Sequence, residues 1–276
     1  MNRAARRCGL SAALAAWFLV SSDIALARGG ASVTAPPKGM ASVGPAVYRP
    51  LYPASPAERT VNVPRFWLDV RPVTNGEFLT FVVTHPEWRR DRIKAIFADE
   101  GYLSQWASPD ALGSSRATQP VTQVSWFAAK AYCIARGARL PTERQWEVAA
   151  LASETAADGS ADPAWRERIL AWYGEPVEKS VLNDVGKGKP NYFGIQDLHG
   201  LVWEWVYDFG ASLVSADSRE KGEADKNRFC GGSGANARDP SDYAAFMRIA
   251  FRSSLEARYT TARLGFRCAR DPGPSP

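Results

Sequence analysis

The segment from residue 180 to residue 268 constrains the fold of this chain more than any other. It is dominated by Gly, Asn, Asp, Arg and aromatic residues, and few of its apolar residues have helical spacing. Irregular segments ordinarily lie on the surface, whereas bulky aromatic side chains are mostly buried. We therefore predict loops packed on a core, in which polar side chains form hydrogen bonds with buried backbone groups.

The N-terminal residues have the pattern of a secretory signal peptide. Arginines precede a mostly apolar run over residues 10–20, and Ala25–Leu26–Ala27 supplies the small-x-small cleavage pattern. The apolar run is shorter than the roughly 20 residues that span a bilayer. We therefore predict a signal peptide over residues 1–27, a periplasmic or secreted mature protein, and no membrane span after cleavage.

The remaining chain divides by composition. Residues 28–58 are rich in Ala, Pro, Gly and Ser, which predicts a flexible linker. Residues 59–271 have the apolar and aromatic content of one compact domain, and residues 272–276 form a tail. The net charge is +5, but basic and acidic residues are interspersed without a basic, aromatic-rich stripe, so no nucleic-acid partner is expected.

Local patterns predict several short elements. Residues 61–70 and residues 121–124 are rich in Val with aromatic or polar alternation, which predicts strands. Residues 74–77 form a capping box ahead of an apolar helix face, and residues 142–145 form a second one. Between them, Ser125 is suited to cap a helix that Gly137 ends.

Three cysteines remain after removal of the signal peptide, namely Cys133, Cys230 and Cys268. In an exported protein an odd number predicts one disulfide and one remaining thiol, or pairing between molecules. Spacing alone leaves the pairing open. The chain has no C-x-x-C motif, which argues against a structural zinc site.

Four segments form an ordered series of motifs. They are residues 72–75 with Phe78, residues 120–126 with residues 131–133, residues 139–143 with Trp146 and Glu147, and residues 193–200 with residues 202–205. In this order they resemble the sulfatase-modifying factor family, to which the formylglycine-generating enzymes belong, over roughly residues 61 to 270. The resemblance implies an α+β fold, a variant of the C-type lectin-like fold, with much irregular structure in a single domain.

The resemblance also implies two structural features. One is a disulfide between Cys133 and Cys268, which would leave Cys230 either as a small buried apolar side chain or as a thiol with a metal or redox role. The other is a calcium ion. The oxygen donors implied for it are Gly200, Val202 and Glu204, and Asn183 is implied for a second calcium site.

The same resemblance argues against the best-known chemistry of the family. Its oxidases hold copper(I) with a pair of cysteines after a Gly-Gly-Ser motif, and thiolates are the ligands that this ion prefers. Here residues 234–247 contain neither cysteine nor histidine. Copper-dependent formylglycine formation is therefore not expected, although Cys230 with Met247 remains an alternative soft site. For His199 we expect a structural hydrogen bond.

Polar residues concentrate between residues 230 and 259. The candidates for a working cleft are Cys230, Ser233, Asp242, Arg248, Arg252 and Tyr259. Arginines in fixed positions bind carboxylates through two parallel hydrogen bonds. The alternative is that they form scaffold ion pairs, with Asp239 or Asp242 as partners.

Residues 229–233, 242–248 and 252–255 resemble exported members of the family that are associated with copper-type nitrite reductases. The resemblance implies an accessory or maturation factor for a periplasmic copper enzyme, with a protein or peptide partner, and we expect a monomer. Two alternatives remain. One is a metal-dependent oxidase of a peptide or small molecule, as in the pyoverdine-maturation branch, and the other is a lectin-like binding module without chemistry.

Overall fold

The structure is a computed structural model. It describes residues 35–51, 53, 57, 59–174, 182–210 and 240–273, the first three residues of the last range by their backbone alone. The predicted signal peptide, Cys230 and Ser233 lie outside these residues, as does the side chain of Asp242. No helix within the described ranges is long and apolar enough to cross a membrane.

Short strands and helices alternate with long irregular stretches, which confirms the predicted α+β class. The strands are β1 (Met40–Val43), β2 (Ala46–Tyr48), β3 (Val61–Val63), β4 (Phe66–Asp69), β5 (Trp203–Glu204), β6 (Leu264–Gly265) and β7 (Ala269–Arg270). The helices are α1 (Asn75–Thr84), α2 (Trp126–Ala135), α3 (Glu143–Ala150), α4 (Pro163–Gly174) and α5 (Pro240–Ser253), with a 3-10 turn at Pro86–Trp88.

The strands form small separate sheets. The largest has the order β1-β4-β7 and is antiparallel throughout, with Met40 opposite Asp69 and Trp67 opposite Arg270. Strands β2 and β3 pair antiparallel, and β5 and β6 pair parallel. Because β4 and β7 are far apart in sequence, their pairing closes the domain. Leu68 of β4, which lies opposite Ala269 of β7, is fully buried.

The prediction of a flexible linker over residues 28–58 is wrong for part of that segment. Strand β1 pairs with β4 and strand β2 with β3, so residues 40–48 belong to the domain. Val43 is fully buried and Tyr48 is 6% exposed. The many small and Pro residues around them give a linker-like composition, but a short edge strand needs only a few apolar side chains on its inner face.

The predicted helix caps are confirmed. The Thr74 hydroxyl accepts from the Glu77 N–H while the Glu77 carboxylate accepts from the Thr74 N–H, and Thr142 with Gln145 repeats this arrangement. Ser125 caps α2 by accepting from the Ala128 N–H. These contacts span three residues and satisfy N–H groups that no helix can pair internally, so local sequence is enough to predict them.

Two strand predictions were wrong in detail. Residues 61–70 form the two strands β3 and β4 rather than one. Residues 121–124 form no strand, because Gln123 has a φ of 53°, in the left-handed region. Val121 instead donates its N–H to the Val73 carbonyl and is fully buried. This stretch is therefore core-packed but irregular.

The segment predicted to be loops contains helix α5. Its buried positions include Arg248 and Arg252 as well as Ala244 and Ile249. Because arginines occupy part of its inner face, the apolar periodicity that reveals most amphipathic helices is interrupted. The rest of the prediction holds, since the irregular residues around Ile195 and Trp205 are buried in the core.

The disulfide implied by the family resemblance is present. Cys133 in α2 is joined to Cys268 just before β7, with Cα atoms 5.6 Å apart. Both residues are fully buried. The bridge fastens the central helix to the closing strand of the main sheet.

Candidate functional site

Two of the predicted cleft residues converge on one buried carboxylate. Arg248 donates from Nε to Glu147 Oε1 at 2.9 Å and from Nη2 to Oε2 at 2.6 Å. Arg252 donates from Nη1 to Oε1 at 2.7 Å. Glu147 is 2% exposed, and the arginines are 5% and 4% exposed. We call Glu147, Arg248 and Arg252 the arginine–glutamate cluster.

The local sequence explains why these side chains meet. Arg248 and Arg252 are four residues apart on α5, so they lie on the same helix face. Glu147 lies on α3, whose start is set by the Thr142 capping box. The indole of Trp146 stacks beside both arginines, with Arg252 Cζ 4.8 Å and Arg248 Cζ 5.6 Å from its ring centroid.

The cluster holds more positive than negative charge. Burial alone would raise the pKa of Glu147, but the charges of Arg248 and Arg252 and their hydrogen bonds outweigh burial and lower that pKa to about 2. One carboxylate therefore faces two guanidinium groups in a poorly solvated place. Tyr173 also binds Arg248, because its hydroxyl accepts from Arg248 Nη1 at 3.0 Å.

The role of Glu147 was missed from sequence, as were those of Tyr173 and Trp146. Glu147 follows Trp146 in a motif that was noted only for its family resemblance. The predicted partners of the arginines were Asp239 and Asp242. In the structure both arginines instead form ion pairs with Glu147. The side chains of Asp239 and Asp242 lie outside the described part of the chain.

A second buried ion pair adjoins the cluster. Glu204 accepts from Arg267 Nε at 2.8 Å and Nη2 at 2.8 Å, and Trp146 Nε1 donates to Glu204 Oε2 at 2.7 Å. Arg267 also donates to the carbonyls of Asp69 and Gln196. Trp146 thus contacts both groups of charges. Its indole N–H donates to Glu204, and the face of its ring lies beside Arg248 and Arg252.

The carboxylate of Glu204 does not fit its predicted role as a calcium ligand. Both of its oxygens accept from the Arg267 guanidinium, and the side chain is fully buried. A cation bound there would lie against a positive charge. Calcium held by the carbonyls of Gly200 and Val202, or by the exposed Asn183, stays a prediction.

His199 forms the structural hydrogen bond that was expected. Its Nε2 lies 2.9 Å from the Ala150 carbonyl, so this nitrogen is the donor. The residue is partly exposed, but Nδ1 is fully buried and has no partner among the described residues. Burial, and then the positive charge of Arg248, lower the pKa of His199 to about 4. The ring is therefore neutral at pH 7.

Acidification is expected to destabilise the protein through His199. The unfolded state takes up a proton near the ordinary pKa of about 6.5, whereas the folded state does so only near pH 4, so stability is present above pH 6.5 and falls below it. We expect a loss of about 2–3 kcal/mol from this residue, measured by urea unfolding across that interval. In His199→Gln the free energy of unfolding should depend less on pH within this interval. The loss of stability from protonation of Glu147 occurs only at lower pH. An unchanged slope in the variant would contradict the assignment.

The other predicted cleft residues are not drawn into the cluster. The Tyr259 hydroxyl donates to Glu256 Oε1 at 3.0 Å on the partly exposed turn after α5. Asp242 lies in the first turn of α5, where only its backbone is described. Cys230 and Ser233 lie outside the described residues, so their predicted roles remain predictions.

A family model and known proteins match this chain. The model for the sulfatase-modifying factor enzyme 1-like domain matches residues 25–272. The formylglycine-generating enzyme of Streptomyces coelicolor is 31% identical over 256 residues, which cover 77% of this chain and 80% of that protein. That of Thermomonospora curvata is 31% identical over 191 residues, or 60% of this chain and 61% of that protein, so the match spans less than two thirds of that relative. The solved structure of PvdO from Pseudomonas aeruginosa is 17% identical with a TM-score of 0.45, over 84% of this chain and 94% of that one.

Proposed function

This chain belongs to the sulfatase-modifying factor family, and from that premise we propose that it is an exported accessory factor for the maturation of a copper enzyme of the nitrite reductase type. The observation that carries the proposal is the anchoring of α5 to Glu147 through Arg248 and Arg252. Residues 242–248 and 252–255, which bear the resemblance to nitrite-reductase-associated members, lie in this helix or directly after it.

The lack of cysteine in residues 234–247 argues against copper oxidation, and a fixed helix at this place supports binding. The family resemblance puts the copper cysteines of the oxidases within residues 234–247, and the second half of that interval is here part of α5. Arg248 and Arg252 hold the inner face of the helix against Glu147, so its outer face is ordered before any partner arrives. Preordering lowers the entropic cost of association.

The outer face of α5 has the composition of a binding surface. Tyr243 is 38% exposed and its ring centroid lies 6.4 Å from that of Phe246, which is half-buried. Exposed aromatic side chains are enriched at protein interfaces, where they supply much of the binding energy. We propose that this face contacts the partner enzyme.

A binding assay with the mature chain tests this proposal. We expect isothermal titration calorimetry to detect a complex with the copper-free form of a copper nitrite reductase. Tyr243→Ala should weaken it about thirtyfold if this side chain is a central contact. Tyr192→Ala is the matched control, because Tyr192 is 58% exposed and lies outside α5. A complex with equal affinity in both variants would overturn the proposed surface, and no complex would overturn the accessory role.

Copper(I) titration separates the proposal from the oxidase alternative. The mature protein and its Cys230→Ser variant are titrated side by side, because thiolates are the preferred ligands of copper(I). Tight stoichiometric binding that is lost in the variant would favour copper delivery or oxidation at Cys230. Partner binding without copper binding would favour a protein-binding factor, and absence of both would favour the lectin-like module.

A further inference from the structure

A cavity of about 420 Å³ lies against the arginine–glutamate cluster, between β2, α3 and α5. Part of its wall is apolar, from Val47, Leu51, Leu151 and Ala245. The polar part comes from Tyr48, Arg49, Asp158, Ser160 and the two cluster members Glu147 and Arg248. A cavity of this size and mixed character is typical of a small-ligand site.

Tyr48 contributes a hydrogen-bond donor without an acceptor. The residue is 6% exposed, and no hydrogen bond to its hydroxyl is present among the described residues. Burial, and then the negative charge of Glu147, raise the pKa of this phenol well above its usual value. Tyr48 therefore stays protonated at neutral pH and offers its O–H to an acceptor.

Arg248 contributes further donors. It uses Nε and one hydrogen of Nη2 for Glu147, and one hydrogen of Nη1 for Tyr173. An arginine carries five N–H bonds, so one hydrogen on each terminal nitrogen is left over. Arg248 lines the cavity, so these two hydrogens are the ones that it can offer to an acceptor bound there.

Charges of both signs lie at the cavity. Among the lining residues, Arg49 and Arg248 balance Glu147 and Asp158, and the Asp158 carboxylate already accepts from the Ser160 N–H at 2.9 Å. Arg252 binds the same Glu147 carboxylate from within the protein and adds a positive charge. The buried Glu143, whose charge also acts on Tyr48, offsets it, so a bound acceptor is attracted mainly by the hydrogen-bond donors of Arg248 and Tyr48.

We propose that this cavity binds the carboxylate of a ligand with a short apolar chain, with Tyr48 and Arg248 as donors to the carboxylate, Arg49 as a further positive charge and the apolar wall around the chain. The carboxylate could belong to a free short-chain acid or to the C-terminus of a peptide. This site is distinct from the outer face of α5 and does not depend on the proposed partner.

NMR titration of the mature protein tests the site with three probes. They are butyrate, an N-acetylated tripeptide of alanine with a free C-terminus, and the amide of the same tripeptide. We expect saturable binding of at least one carboxylate probe and binding about tenfold weaker or absent for the amide. Butyrate alone would identify a free acid as the source, and the tripeptide acid alone would identify a peptide terminus.

Variants place the binding at this cavity. Tyr48→Phe keeps the ring in the core and removes only the hydroxyl, so we expect the fold to be kept and the affinity for the carboxylate to fall about tenfold. Tyr192→Phe is the matched control, since Tyr192 is exposed and does not line the cavity. Unchanged affinity in Tyr48→Phe, equal binding of the amide, or no binding of any probe would each overturn the proposal.

Discussion

Replacing Glu147 with alanine is expected to lower the free energy of unfolding by about 3–5 kcal/mol. The substitution leaves Arg248 and Arg252 buried at 5% and 4% exposure without their counter-charge. Two guanidinium groups on adjacent turns of α5 would then repel each other in a poorly solvated place. Urea unfolding of the oxidised protein at neutral pH measures the change.

Glu154→Ala is the matched control for this experiment. Glu154 also binds an arginine, Arg168, at 2.8 Å, but the two side chains are 37% and 54% exposed. Solvent screens such a pair, so we expect a loss below about 1 kcal/mol. Equal losses in the two variants would show that burial of the arginine–glutamate cluster does not decide its contribution.

Removing the disulfide is the second large effect that we expect. Cys133 and Cys268 are 135 residues apart, and a bridge over a loop of this length contributes about 5 kcal/mol by restricting the unfolded chain. The double variant Cys133→Ser, Cys268→Ser should therefore unfold at much lower urea concentration. The slope of the transition should increase, because the unfolded chain without the bridge is more expanded and exposes more surface.

Cys230→Ser provides the control for the disulfide. Cys230 has no part in the bridge between Cys133 and Cys268, so its replacement should change the free energy of unfolding far less than the double replacement does. A loss in Cys230→Ser as large as in the double variant would contradict the assignment of stability to this bridge. Reduction of the wild-type protein by dithiothreitol should reproduce the effect of the double variant.

Sequence reasoning worked where the determining contacts are local. The capping boxes at Thr74 and Thr142 join residues three apart, and their hydroxyl and acidic or amide side chains can be recognised directly. The family resemblance carried the fold class and the pairing of Cys133 with Cys268, which spacing alone had left open.

Sequence reasoning failed where the hydrogen-bonding partners of a segment come from distant residues. Residues 40–48 resemble a linker until β4 and β3 provide hydrogen-bonding partners. Residues 121–124 have the apolar content of a strand, but their hydrogen bonds go to single distant residues rather than to a neighbouring strand. Tertiary context commonly overrides β-propensity in this way.

The amino-acid sequence by itself determined the family, the starts of helices α1, α2 and α3, and the presence of arginines near the C-terminus. Only the tertiary structure decided what those arginines do. It placed Arg248 and Arg252 on Glu147, about a hundred residues earlier in the chain, and it joined Glu204 to Arg267. The physical reason is that a buried charge requires a partner close in space, whereas its position along the chain is irrelevant to that requirement.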